Sequence, residues 1–107
     1  MKYTKLKDID NDRYDRSKRI DWLDLKRLKK RRVLVVGAGA LGNEVCKNLA
    51  FSGYENITLV DADYIIKSNL NRCIFFSEQD AERKQKKAVV VAEKLKLVAP
   101  DVNIRAY

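Results

Sequence analysis

The sequence predicts an α/β chain: one helix, then a β-α-β-α-β unit that makes up half of a doubly wound parallel sheet. Three observations carry this. Val33-Leu34-Val35-Val36 is an apolar run that stops at Gly37-Ala38-Gly39-Ala40-Leu41-Gly42, a G-x-G-x-x-G turn, and a helical pattern begins at once. A second apolar run over 56–60 ends on Asp61, 19 residues after Gly42. The four glycines and the single proline all fall at element ends that this scheme needs.

Residues 1–19 show no period and alternate in charge, as expected of an exposed arm or irregular start. A helix is expected from Asp21, which can serve as N-cap. Trp22, Leu25 and Leu28 follow at three-residue spacing, and basic residues fill the last turn, where the helix dipole favours them. The first strand is expected over 32–36. In the glycine turn, Gly37 permits the tight bend, Gly39 lets the backbone approach a phosphate, and Gly42 lets the helix pack on the strand. That helix, over 41–52, is expected to bury Leu41, Val45 and Leu49, with Cys46 beside them, and to stop at Gly53. The second strand, 56–60, leads into a long polar connection over 62–80. A third helix over 86–98 is halted by Pro100, and 103–107 forms the third strand. The result is a Rossmann-like half-sheet with one open edge, which fits a piece of a longer protein or a chain that completes its sheet with a partner.

At 107 residues the chain holds one small domain. With 46% apolar and 36% charged residues it is expected to be globular, and no apolar run approaches the roughly 20 residues of a membrane span. Cys46 and Cys73 have no framework spacing, so free thiols and a cytoplasmic location are expected. There is no histidine, which excludes histidine bases and triads, and two cysteines cannot close a four-ligand zinc site. The net charge of +8 is unevenly placed: residues 1–32 carry 13 Lys and Arg against 6 Asp, and the other 75 carry 10 against 9. The basic character therefore belongs to the leader. Its aromatics are too sparse for a stacking platform, so neither nucleic acid nor membrane is expected as a partner.

The chemistry concentrates after the glycine turn. Asp61 stands where a carboxylate accepts hydrogen bonds from ribose hydroxyls. Asp63 either orients Mg²⁺ or closes the turn. Ser68-Asn69-Leu70-Asn71-Arg72 follows; Arg72 offers a planar fork to phosphate oxygens, and Asn69 a neutral donor for charge developing on a phosphoryl group. One of Lys84, Lys86 and Lys87 opens the third helix, beside the positive end of its dipole. That placement is unfavourable until an anion is bound there.

Taken together, the glycine turn, Asp61, S-N-L-N-R and the lysine resemble the ThiF/MoeB and ubiquitin-activating enzyme family. Arg13-Tyr14-Asp15-Arg16 is similar to the R-Y-x-R leader of its adenylation domain. The resemblance runs from about Arg13 to Tyr107. It implies use of Mg-ATP to adenylate the C-terminal carboxylate of a ubiquitin-like or sulfur-carrier protein, in a homo- or heterodimer. By position it implies that Gly37, Gly39, Ala40 and Gly42 cradle the nucleotide and that Asp61 holds the ribose. Ser68, Asn69, Arg72 and Lys87 would attend the phosphates, and Arg16 would reach across a dimer. Lys87 is chosen because it stands 13 residues before Pro100.

Three departures from the family pattern stand out. Ala40 replaces a glycine, Cys73 replaces a glutamine, and the segment Glu82-Arg83-Lys84-Gln85-Lys86-Lys87 is longer than G-x-P/S-K, which blurs the lysine register. The family's magnesium aspartate, zinc cysteines, acceptor cysteine and carrier-docking surface are expected downstream, so no metal ligand is expected within this chain. The division expected is a basic arm and helix over 1–32 and the ATP-binding half of an adenylation domain over 33–107. The same glycines and Asp61 would also suit an NAD-binding oxidoreductase fragment, though that leaves S-N-L-N-R without a task. A non-catalytic subunit of an activating complex is the other alternative.

Overall fold

A computed structural model of the chain describes residues 12–107. Strands β1 (Arg32–Val36), β2 (Asn56–Val60) and β3 (Asn103–Ala106) form a parallel sheet in the order β1-β2-β3. The register aligns Val33 with Ile57 and Ile104, and Val35 with Leu59 and Ala106, so one face is a continuous apolar surface. Helices α2 (Ala40–Ser52) and α4 (Lys87–Val98) touch each other and together cover that face. Cys46 and Ala50 of α2, Val91 and Leu95 of α4, and Ile57, Leu59, Ile65 and Ile104 make up its interior. The opposite face is bare at Arg32, Leu34, Val36, Asn103 and Arg105, and β1 has an unpaired outer edge among the described residues. The expected half of a doubly wound sheet is therefore present.

Four local expectations change. Helix α1 runs only over Leu25–Lys30, because Asp24 rather than Asp21 caps it: the Asp24 side chain accepts from the Arg27 N–H at 3.0 Å. Trp22 consequently lies before the helix and is 83% exposed. Helix α2 buries Gly42, Asn43, Cys46 and Ala50, while Leu41 is 82% exposed and Val45 also faces out. Gly42 causes this rotation, since a Cβ there would lie 1.9 Å from the Gly37 carbonyl oxygen. Only the face carrying Gly42 can press on the turn, and at 3.6 residues per turn that face continues through 46 and 50.

The leader is less exposed than expected. Tyr14 is buried, its hydroxyl donates to the Ala50 carbonyl at 3.3 Å, and Arg13 donates to the Val98 carbonyl at 2.7 Å. The Ala50 carbonyl also accepts from the Gly53 N–H at 3.2 Å, so Tyr14 adds a second donor there, while Arg13 reaches a carbonyl in the last turn of α4 that has no backbone donor among the described residues. Residues 1–11 of the expected arm lie outside the described residues. Within the polar connection the chain folds a 3-10 turn at Lys67–Asn69 and a short helix, α3 (Glu78–Glu82). The latter is capped by Ser77 and Asp80, each accepting from the other's backbone N–H.

Candidate nucleotide site

The site grows out of the turn between β1 and α2. The Gly37 N–H donates to the Val60 carbonyl at 2.8 Å, extending the strand pairing by one bond. Gly37 then turns at φ +103°, a left-handed conformation that strains any side chain. Gly39 caps α2, and a Cβ at either Gly37 or Gly39 would meet nothing within 4 Å. The backbone there is open to space, whereas Gly42 is closed against protein. No acceptor is found among the described residues for the N–H groups of Gly39, Ala40, Leu41 and Gly42. This is a positive, concave surface that suits phosphate. The adjoining cavity, about 380 Å³, is walled by Val36, Leu41 and Val45 at the bare edge of β1.

Asp61 is tied into the turn. One carboxylate oxygen accepts from the Ala38 N–H at 2.6 Å, and the other accepts from the Asp63 N–H at 2.7 Å. A carboxylate has about four acceptor positions, so two remain for ribose hydroxyls. Asp63 in turn holds Lys87 twice. Its carbonyl accepts from the Lys87 N–H at 3.0 Å, and its carboxylate pairs with the Lys87 ammonium at 3.2 Å. The Lys87 side chain is only 13% exposed, so the approach to its ammonium is confined. Asp63 therefore ties the end of β2 to the start of α4.

Backbone contacts hold the lysine segment against the end of β2. Tyr64 pairs antiparallel with Lys86, and the Ile65 N–H donates to the Gln85 carbonyl at 2.8 Å, stapling this segment to the end of β2. Lys84 has φ +49°, the left-handed region that glycine enters freely. It stands three residues before Lys87, where G-x-P/S-K has its glycine.

Arg72 extends its guanidinium to the Ser68 carbonyl at 2.6 Å and the Asn71 side-chain oxygen at 2.9 Å. Asn69 is buried and its side-chain oxygen accepts from the Ile66 N–H at 3.1 Å, so this residue shapes the loop it stands in. Ser68 is exposed in the same 3-10 turn. Burial pushes the Cys73 thiol up, while the Arg72 and Lys87 charges pull it partly back.

Arg16 is not brought to the turn. It pairs with Asp15, two residues from the Tyr14 that rests on the C-terminal end of α2. The glycine turn is at the other end of that 13-residue helix, about 20 Å away.

One residue that the sequence did not single out joins these parts. Asn43 is fully buried in α2; its side-chain NH₂ donates to the carbonyls of Ala38 at 2.9 Å and Gly39 at 2.8 Å. Its side-chain oxygen accepts from the Phe75 N–H at 3.0 Å, just beyond S-N-L-N-R. The available signal was an asparagine inside a helix next to the last motif glycine, a place that its helix propensity does not favour.

Comparison with known proteins places the fold in a family. The family model described as the ThiF family matches residues 11–107. The NEDD8-activating enzyme E1 catalytic subunit of Dictyostelium discoideum is 55% identical over 49 residues, 46% of this chain and 11% of the relative. The sulfur carrier protein ThiS adenylyltransferase of Bacillus subtilis (strain 168) is 33% identical over 79 residues, 74% of this chain and 24% of the relative. Among solved structures, E. coli MccB with ATP superposes with a TM-score of 0.74 at 32% identity, covering 78% of this chain and 24% of that one. E. coli tRNA N6-threonylcarbamoyladenosine dehydratase TcdA, in complex with AMP, gives a TM-score of 0.72 at 29% identity, over 78% and 33%. The chain thus spans a third or less of the length of these relatives.

Proposed function

The chain belongs to the ThiF family, and from this we propose that it is the nucleotide-binding part of an enzyme that adenylates the C-terminal carboxylate of a ubiquitin-like or sulfur-carrier protein. In that reaction a carboxylate oxygen attacks the α-phosphorus of ATP. A phosphoanhydride bond breaks, pyrophosphate leaves, and the acyl-adenylate remains. The chain's own contribution is positioning and charge. The N–H groups of Gly39, Ala40 and Gly42, in the turn opened by Gly37, cradle phosphate oxygens. Asp61 takes the ribose. Arg72 and Lys87 offset charge gathering on the departing pyrophosphate, with Asn69 and Ser68 shaping the loop that presents Arg72.

The observation that carries this reading is the hydrogen-bonded chain from the glycine turn through Asp61 and Asp63 to Lys87. Magnesium suits the site as an ion carried on the triphosphate, since it keeps waters and needs few protein ligands. Among the described residues no three His, Cys, Asp or Glu side chains gather to hold a metal. Arg16, at the far end of α2, serves a second copy or a related subunit across a dimer. Residues 33–107 are read as the first half of the adenylation domain, and 1–32 as its basic leader. No described helix is long and apolar enough to cross a membrane, and a cytoplasmic enzyme without nucleic-acid contacts is our reading.

Calorimetric titration with Mg-ATP and, separately, NAD⁺ tests the proposal, with Asp61→Ala as control. Saturable ATP binding that the variant loses is expected. Preference for NAD⁺ would overturn the proposal in favour of a dinucleotide-binding fragment.

A further inference from the structure

We propose that Asn43 is the residue that aims the glycine turn at phosphate, a role that rests on the nucleotide-binding reading above. In a trans peptide the carbonyl of one residue and the N–H of the next point in opposite directions, and the described residues contain no cis bond. The Asn43 NH₂ draws the Ala38 carbonyl inward at 2.9 Å, and the Gly39 carbonyl is held by that NH₂ at 2.8 Å together with the Asn43 backbone N–H at 2.9 Å, the first bond of α2. The Gly39 and Ala40 N–H groups, on the far sides of those two peptide planes, must then face outward. Outward is the open space beside Gly39, where a Cβ would meet nothing within 4 Å.

The arrangement is closed against its alternatives. The Phe75 N–H donates to the Asn43 side-chain oxygen at 3.0 Å, so a flipped amide would set donor against donor and acceptor against two carbonyls. The Ala38 N–H is already committed to Asp61 at 2.6 Å. Asp61 and Asn43 therefore grip the same residue, one by its N–H and the other by its carbonyl. Because the third Asn43 bond reaches a residue 32 positions away, the turn is also locked to the segment that follows Arg72. Asn43 touches no ligand in this scheme. It is a positioning residue, acting through the two backbone N–H groups that it orients.

The test uses the ¹⁵N-labelled chain of 107 residues with Mg-ATP and with adenosine, in wild type and Asn43→Ser, followed by NMR. Serine keeps a small polar group but cannot reach both carbonyls. Affinity for Mg-ATP is expected to fall about tenfold or more, with adenosine affinity within about twofold. The ATP-induced shifts of the Gly39 and Ala40 amides should shrink. Equal losses for both ligands would mean that Asn43 only supports the fold; no loss would mean that the turn orients itself. Either overturns the proposal.

A second measurement needs no variant. The wild-type Asn43 side-chain NH₂ should exchange with solvent far more slowly than that of exposed Asn71. Equal rates would overturn the proposal even if Asn43→Ser fails to fold. Should wild type bind neither ATP nor adenosine, the nucleotide-binding reading and the aiming role built on it both fall; slow exchange at Asn43 would then show that the turn's geometry survives without that function.

Discussion

Gly42→Ala puts the packing of the turn to a quantitative test. A Cβ at position 42 would lie 1.9 Å from the Gly37 carbonyl oxygen and 2.8 Å from its carbon, distances below the 3.0 Å that real Cβ contacts respect. The obstacle is backbone, which cannot swing aside as a side chain would. The start of α2 must then withdraw by about 1.1 Å. A shift of that size carries Asn43 away from the Ala38 carbonyl and lengthens that bond from 2.9 Å to about 4 Å, beyond hydrogen-bond range. Losing that bond and the one from the Phe75 N–H costs about 0.5–1.5 kcal/mol each, and leaving a buried amide unsatisfied costs about 1–3 kcal/mol. We expect a destabilisation of about 3–5 kcal/mol, read by urea unfolding followed by circular dichroism. Gly39→Ala is the paired control. At φ −79° with nothing near its Cβ, alanine fits the protein, and stability should change by less than about 1 kcal/mol. Its methyl nevertheless occupies the space assigned to phosphate, so ATP affinity should drop about tenfold or more. A Gly42→Ala midpoint within error of wild type would refute the packing argument. Full ATP affinity in Gly39→Ala would refute the assignment of the space.

The same structure sets three further outcomes. Lys84→Gly, by relieving the left-handed backbone at φ +49°, should stabilise the chain by about 0.5–1 kcal/mol in urea unfolding after the entropy of glycine is deducted. Arg72→Ala and Lys87→Ala should each weaken Mg-ATP binding about tenfold or more in calorimetry while leaving adenosine binding unaffected, because both are assigned to phosphate. Burial pushes the Cys46 thiol from 9.0 up to about 11. The native state therefore keeps this proton where the unfolded chain releases it. Its contribution to stability is complete below pH 9 and is lost as pH rises through about 11. Urea midpoints of wild type should fall between those limits more steeply than those of Cys46→Ala, and parallel slopes would contradict the assignment.

What the sequence disclosed was local. The strand, the glycine turn, the helix after it and Asp61 at the end of β2 all follow from apolar runs and glycine spacing, properties of contiguous residues. The buried face of α2 was missed because Leu41 and Val45 are more apolar than Gly42 and Asn43. The deciding contact, Gly42 on the Gly37 carbonyl, is tertiary and carries no hydrophobic signal. Asn43 escaped for the same reason: its partners are backbone groups, two close in sequence and one on Phe75. The short α1 shows a different failure, a choice between Asp21 and Asp24 as caps that helical spacing alone could not make. The lysine register, ambiguous by counting, is supported by one backbone angle at Lys84.

The central claim is that the turn at 37–42, Arg72 and Lys87 form one phosphate-binding surface. Titrating the ¹⁵N-labelled chain with Mg-ATP and mapping the amide shifts tests it most directly. The account predicts saturable shifts concentrated at Gly39, Ala40, Leu41 and Gly42 and at the backbone of Arg72 and Lys87, with Trp22 and the leader unaffected. Shifts confined to the leader, or a glycine turn that stays silent while ATP binds elsewhere, would contradict it.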